Sequence, residues 1–275
     1  MHFREVTVAD RERILALRAR CFPGVDPEKE DPRFWDWLAS RSRSFVGEED
    51  GALLTHLTLL AWQGNVLAIE AMTSPDARGR GAFTGVMRHA LANAGAVVTA
   101  FQIRGAVFGT LMRTGWKVAR RVPVLMRPVP LWKRKCATFS TFDARQMSNI
   151  SRNKAEIAWR FFENPAWQYR VTGVENAAYL VARRTKLKGM DTYAIVDLAW
   201  RDVKVAKALL RNAICEAKAQ GCTLVAALVS RDHPAFWLFV RNGFLPGPYH
   251  FRFLVHPPEH ATRRWPLMWA DTDHL

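Results

Sequence analysis

At 275 residues the chain exceeds a typical single domain of about 100 to 200 residues, and its 49% apolar and 11% aromatic content supplies two modest cores. The charged opening MHFREVTVADRER leaves no apolar stretch for a secretory leader, and no run approaches the roughly 18 apolar residues of a membrane span, so the sequence reads as cytoplasmic. Forty Lys and Arg against 25 Asp and Glu give +15, a field that attracts polyanions, yet the cations are dispersed and no basic helix interleaved with aromatics marks a nucleic-acid module.

In chain order, RFWDWLASRSRSFVGEEDGALLTHLTLLAW (33 to 62) predicts an aromatic-rich helical piece, then two strands joined at the polar turn Glu48-Glu49-Asp50-Gly51. VLAIEAM (66 to 72) predicts an apolar strand with one carboxylate, Glu70. FTGVMRHALANAG (83 to 95) places apolar residues at three- and four-residue spacing and stops on Gly95, as an amphipathic helix does. AVVTAFQI (96 to 103) predicts a buried strand, and a short helix after it ends at Gly115-Trp116. Prolines and the charge run in RPVPLWKRKC then predict a linker.

The same series follows again. AEIAWRFFENPAWQYRVTGVENAAYLVARRT (155 to 185), YAIVDLA (193 to 199), VAKALLRNAICEAKAQG (205 to 221) and CTLVAALV (222 to 229) lead to Gly243-Phe244. Trp35 and Trp159 lie 124 apart, Glu70 and Asp197 127, Gly95 and Gly221 126, and Gly115 and Gly243 128. Four landmarks in one order at nearly one spacing predict a duplicated domain. The expected division is residues 1–130, a linker over 131–146, and 147–275. Cys21, Cys136, Cys215 and Cys222 form no CxxC pair and read as free thiols. His256 and His260 are separated by Pro257 and Pro258, which forbid the helix that would align them on a metal, so no metal site is expected. His89 reads as a packing residue, and the terminal RRWPLMWADTDHL as a segment docked on the body.

At AMTSPDARGRGAFTGVMRHAL (71 to 91) the sequence resembles the GCN5-related N-acetyltransferase (GNAT) superfamily, whose cofactor loop follows a Q/R-x-x-G-x-G/A pattern between the fourth strand and the third helix. Arg78, Gly81 and Phe83 fall on its marked positions. Phe83 departs from the small residue, in a variant associated with tandem members. The resemblance implies an α/β fold class: two tandem acetyltransferase-like domains, each a mixed, mostly antiparallel twisted sheet flanked by helices. It further implies that the first copy binds acetyl-CoA or another acyl-CoA. A strand turning sharply into a helix presents backbone N–H groups to a pyrophosphate. Gly79 and Gly81 permit close approach, Arg78 and Arg80 add positive charge, and the helix start at Ala82 and Phe83 adds its dipole. The acyl carbonyl and pantetheine are expected along the main chain of Met72 and Thr73.

Acyl transfer to an amine needs the amine deprotonated and the leaving thiolate stabilised. On the resemblance, Glu70 is expected to serve as base, directly or through water, by sharing a strand face with Met72; the alternative is a carboxylate paired with a neighbouring Arg, since Asp197 matches it in the second copy. The tyrosine acid of many relatives is replaced by Leu111, and by Phe239 in the second copy. The thiolate therefore leaves unassisted or by another donor, or the protein is a non-catalytic acyl-CoA-binding or interaction protein. The second loop, AWRDVKVAKAL (199 to 209), has no glycine and carries Asp202, so that copy is expected to shape the fold or the substrate site. The function implied is acyl-CoA-dependent N-acyltransfer to a small-molecule or carrier-bound acceptor, with an anionic acceptor favoured by the charge; an acyl-carrier protein is the alternative donor.

Overall fold

The computed structural model describes residues 1–102, 105–130, 139, 150 and 152–272. The chain divides into two units: Met1–Arg120 with Arg252–Arg263, and Arg121–Phe251 with Arg264–Leu275.

Unit 1 is a mixed sheet flanked by helices. In chain order it holds β1 (His2–Glu5), α1 (Arg11–Cys21), α2 (Pro32–Ala39), β2 (Ser42–Glu49), β3 (Ala52–Trp62), β4 (Asn65–Thr73), α3 (Ala82–Asn93), β5 (Val98–Gln102) and α4 (Gly105–Arg113). Helix α2 starts where the sequence stiffens and caps it: Pro32 presets the first turn, and the Asp31 carboxylate accepts from the Arg33 amide at 2.8 Å. Its buried face is Phe34, Trp35 and Leu38. The β2–β3 hairpin turns through Asp50 and Gly51 at φ 51° and 77°, the left-handed pair that an Asp-Gly loop supplies. Helix α3 buries Ala82, Val86, Met87 and Ala90, one stripe at helical spacing, against Phe45, Leu57 and Leu59 of the sheet. Each such Val or Leu contributes about 1.5–3 kcal/mol of burial.

Unit 2 repeats the plan with α5 (Lys154–Ile157) running into a π-helical turn at Ala158–Phe162. There follow β7 (Arg170–Val174), β8 (Ala178–Leu187), β9 (Met190–Trp200), α6 (Val203–Ala219), β10 (Leu224–Leu228) and α7 (Ala235–Arg241). Helix α6 is capped by Asp202, whose carboxylate accepts from the Lys204 amide at 2.7 Å.

The last strand of each copy departs from the expected division. Strand β6 (Lys117–Pro128) begins in unit 1 but pairs antiparallel with β10, from Val124↔Leu228 to Pro128↔Leu224. Strand β11 (Leu245–His256) begins in unit 2 but ends paired with β5, from Arg252↔Gln102 to His256↔Val98. Unit 1 therefore reads β1-β2-β3-β4-β5-β11 and unit 2 reads β6-β10-β9-β8-β7. An apolar strand fits either sheet equally well, so periodicity could not assign these two. Most of the expected linker, 131–138, 140 and 141–146, lies outside the described residues.

Cys21 and Cys222 are free thiols as expected, but Cys215 is disulfide-bonded, a correction to the free-thiol reading; Cys136 lies outside the described residues. Among the described residues no helix is long and apolar enough to cross a membrane.

Candidate functional site

Strand β4 carries the site because it is half unzipped. Its pairing with β3 runs to Thr73, but its parallel pairing with β5 is confined to Val66↔Val98 and Leu67↔Thr99. Beyond Leu67 the second edge of β4 has no strand among the described residues, leaving backbone groups for another chain-like partner. The Ser74 amide donates to the Leu54 carbonyl across β3. Amides alternate along a strand, so the Thr73 amide faces the open edge, where it meets the Cys21 sulfur. The same alternation turns the Met72 amide toward β3. Of the two residues expected along the cofactor, Thr73 presents the donor, while Met72 is buried with its carbonyl accepting from Thr55 Oγ1 at 2.8 Å.

After Thr73 the chain makes a 3-10 turn at Pro75–Ala77 and enters α3 at Ala82. Gly79 and Gly81 sit at φ 78° and 81°, a region in which side chains are strained. A Cβ at either would meet nothing within 4 Å. The glycines thus serve the turn and keep open the space above it. Among the described residues the amides of Gly79, Gly81, Ala82, Phe83 and Thr84 donate to no carbonyl, while those of Arg78 and Arg80 close turns onto Pro75 and Ala77. Arg78 is exposed, and its charge reaches Cys21. Arg80 is instead ion-paired with Glu49, the β2–β3 turn carboxylate that also meets the Met1 amine at 3.3 Å. Phe83 packs against the α3 core rather than into the loop, so the departure from a small residue leaves the loop unobstructed.

Glu70 sits at a break in the strand. Thr58 pairs with Ile69 and His56 with Met72, so two residues, Glu70 and Ala71, oppose Leu57, and Glu70 takes φ 46°. The simple alternation that would align Glu70 with Met72 is interrupted there. Both oxygens of the buried Glu70 carboxylate are engaged: Oε1 accepts from Lys29 Nζ at 2.5 Å and Oε2 from Arg18 Nη1 at 3.3 Å. Arg18 and Lys29 are themselves buried, and Arg18 Nη2 also donates to the carbonyls of Val25 and Asp26. An arginine partner was the alternative reading of Glu70, and Arg18 fills it, but neither Arg18 nor Lys29 was singled out from the sequence. The available signal was Arg18 on the face of α1 that buries Ile14 and Leu17.

His56, also missed, lies beneath the bulge. Its Nδ1 is 2.9 Å from the Glu70 carbonyl, which can only accept, so Nδ1 carries the proton. Nε2 is then left to accept from Thr58 Oγ1 at 3.4 Å, and Thr58 in turn lies 2.8 Å from Ser44 Oγ. Burial pushes the imidazole down to about 4, against the opposing pull of the Glu70 carbonyl and charge. A depressed pKa makes stability depend on pH in a fixed sense. The neutral ring is compatible with the fold above the unfolded pKa near 6.5, and stability falls as pH drops from there through about 4. Urea unfolding across that window is expected to show a steeper loss for the wild type than for His56→Gln, and equal slopes would exclude His56 as the titrating group.

Unit 2 holds a counterpart with different contents. Asp197 on β9 is buried at the matching break, between Val181↔Asp197 and Ala182↔Ile195, and accepts from Arg152 Nε at 2.8 Å and from the Tyr179 hydroxyl at 2.9 Å. Where unit 1 has its open loop, Asp202 caps α6, and the amides of Arg201 and Asp202 both donate to the Ala177 carbonyl. The positions of the absent tyrosine acid are core positions: Leu111 is buried beside Trp116 in unit 1, and Phe239 stacks edge-on against Phe244 in unit 2. His89 lies edge-on to Phe45, consistent with packing.

Residues 2–119 match the family model described as Acetyltransferase (GNAT) domain. No protein of curated function matches the chain. Among solved structures it resembles a conserved protein of Enterococcus faecalis V583 described as a probable N-acyltransferase, with TM-score 0.62 and 13% identity over 92% of this chain and 71% of that one. A GCN5-related N-acetyltransferase from Anabaena variabilis ATCC 29413 gives TM-score 0.59 and 12% identity, covering 92% of this chain and 72% of that chain. Another from Kribbella flavida gives 0.59 and 15%, covering 92% and 71%. At these identities the likeness carries the fold and leaves the substrate open.

Proposed function

We propose, from the premise that the chain belongs to the GNAT superfamily through residues 2–119, that unit 1 binds acetyl-CoA and transfers its acyl group to an amine. The family uses acetyl-CoA as co-substrate, and the thioester supplies the activated acyl group. The observation that carries the reading is the half-unzipped edge of β4 running into an open, glycine-built loop. The free amides of Gly79, Gly81, Ala82 and Phe83, with exposed Arg78, suit a pyrophosphate. The Thr73 amide would suit an extended, amide-bearing chain laid along β4 on leaving the Cys21 sulfur. Arg80 would join only by leaving Glu49.

Within this reading Glu70 is the proposed base, and its bonds select the oxygen. Oε1 is held tightly by Lys29, whereas the 3.3 Å contact to Arg18 leaves Oε2 the weaker-bound site at which a proton can be taken up. Neither Leu111 nor Phe239 can donate a proton, so the leaving thiolate departs to solvent or takes a proton from elsewhere. Unit 2 is proposed to bind no coenzyme A, because Asp202 occupies the helix start with its own negative charge.

Isothermal titration with coenzyme A is expected to give one site per chain. Arg78→Glu or Gly81→Asp should weaken it about tenfold or more while the protein remains folded, since a charged phosphate contact contributes on the order of 1.5 to 3 kcal/mol. A stoichiometry near two would overturn the assignment to unit 1 alone, and unchanged affinity in both variants would remove the loop from the site. Release of coenzyme A from acetyl-CoA across a panel of amines separates a transferase from a binding protein.

A further inference from the structure

Arg160 is a buried guanidinium for which the described residues supply no acceptor. It lies in the π-helical turn Ala158–Phe162, is 7% exposed, and donates no hydrogen bond and forms no ion pair with any described residue. Its plane lies over the Trp159 ring at 5.5 Å. Its neighbour Arg152 is served fully: Nε meets Asp197 at 2.8 Å, Nη2 meets Asp271 at 2.8 Å and Nη1 meets Glu156 at 3.1 Å. Those carboxylates are thereby committed to Arg152 and reach Arg160 only at longer range. Burial and the Arg152 charge hold the Arg160 pKa below its ordinary value, with Asp271 and Glu156 opposing. Its Nε–H is buried without an acceptor, and a donor removed from water without a partner is costly to leave so. Single-turn π-helical irregularities are frequent at functional sites.

We propose that Arg160 anchors a binding site in unit 2 for a small organic carboxylate. A carboxylate matches the planar fork of a guanidinium through two parallel hydrogen bonds. One negative charge is also what this neighbourhood tolerates, because Asp271 and Glu156 would repel a dianion such as phosphate. The rest of the ligand meets aromatic side chains: Trp159 beneath the guanidinium, and Phe161 with Tyr169, whose rings lie 5.3 Å apart. Arg183, stacked on Trp167 at 4.8 Å and 6.0 Å from the Tyr169 ring, adds a second buried positive charge on that side. Unit 2 thus has no open pyrophosphate loop yet keeps a cationic anchor, and the site stands independently of coenzyme A binding by unit 1.

The test is titration of the full-length protein with sodium benzoate, with benzamide as the neutral isostere and inorganic phosphate as the dianion, read by calorimetry and thermal shift. Saturable benzoate binding at one site with a rise in Tm is expected, with benzamide and phosphate at least tenfold weaker. Arg160→Met should abolish the benzoate signal and leave coenzyme A affinity unchanged. Arg160→Lys, which keeps the charge but loses the fork, should bind benzoate at least tenfold more weakly and serves if Arg160→Met does not fold. No saturable benzoate binding by the wild type, equal binding of benzamide, stronger binding of phosphate, or undiminished binding in either folded variant would each overturn the proposal.

Discussion

Arg152→Met is expected to lower the unfolding free energy by about 3 to 5 kcal/mol, the usual result of removing one partner from a buried ionic cluster. Burial alone would depress the arginine, yet Asp197 and Asp271 hold its pKa well above the ordinary value, so the cation is bound by what surrounds it. Its loss removes the cation paired with both Asp197 and Asp271, which are 2% and 1% exposed. Among the contacts that remain, the Tyr179 hydroxyl and the Leu198 amide at Asp197 and the Met268 amide at Asp271 are neutral donors that do not replace the lost charge. The variant's pH dependence follows from the sign. Uncompensated buried carboxylates have folded pKa values raised above the unfolded ones, so the penalty is present at neutral pH and disappears as the pH falls and both become neutral. Denaturant midpoints of wild type and variant should therefore converge between pH 7 and pH 4. A constant gap across that range would show that lost packing, not charge, accounts for the defect.

Much of this architecture was legible because it is written in local periodicity. The helix expected over 83–95 is Ala82–Asn93, that over 205–221 is Val203–Ala219, and the strands around Glu70 and Asp197 are β4 and β9. The loop could be placed because Gly79 and Gly81 are spelled out between a strand and a helix. What stayed hidden depends on pairing across long stretches of chain. The exchange of β6 and β11 is a choice between two apolar sheet edges, which a strand's own composition does not encode. Lys29 and Arg18 lie 41 and 52 residues from Glu70, and only the folded chain brings them to its oxygens. The bulge at Glu70 was hidden for a related reason: alternation reads a strand as regular, while Leu57 faces two residues. Arg160 gave no signal either, because a cation in an aromatic helical segment resembles a solvated one until its burial is known.

Glu70→Gln is expected to act on stability and on turnover, and the two readouts assign its role. Gln keeps the shape and one acceptor but removes the carboxylate charge that pairs with both buried cations, Lys29 and Arg18, so a loss of about 3 to 5 kcal/mol is expected. Asp197→Asn should destabilise by a similar mechanism, since Arg152 loses one of its carboxylates. Coenzyme A affinity should survive in the Glu70 variant, because the loop amides and Arg78 lie beyond the bulge. Measured where the variant remains folded, turnover with a reactive amine should fall by about 10²- to 10⁴-fold, the range for loss of a general base. The defect should shrink as pH rises, because more of the amine then arrives already deprotonated. A defect of constant size across pH would instead mean that the carboxylate works by holding Lys29 and Arg18 in place, and turnover equal to the wild type would remove Glu70 from the chemistry altogether. Asp197→Asn, destabilised to a like degree but placed in unit 2 rather than on the proposed reacting strand, should leave turnover intact; if it lowers turnover as much as Glu70→Gln does, loss of stability explains both.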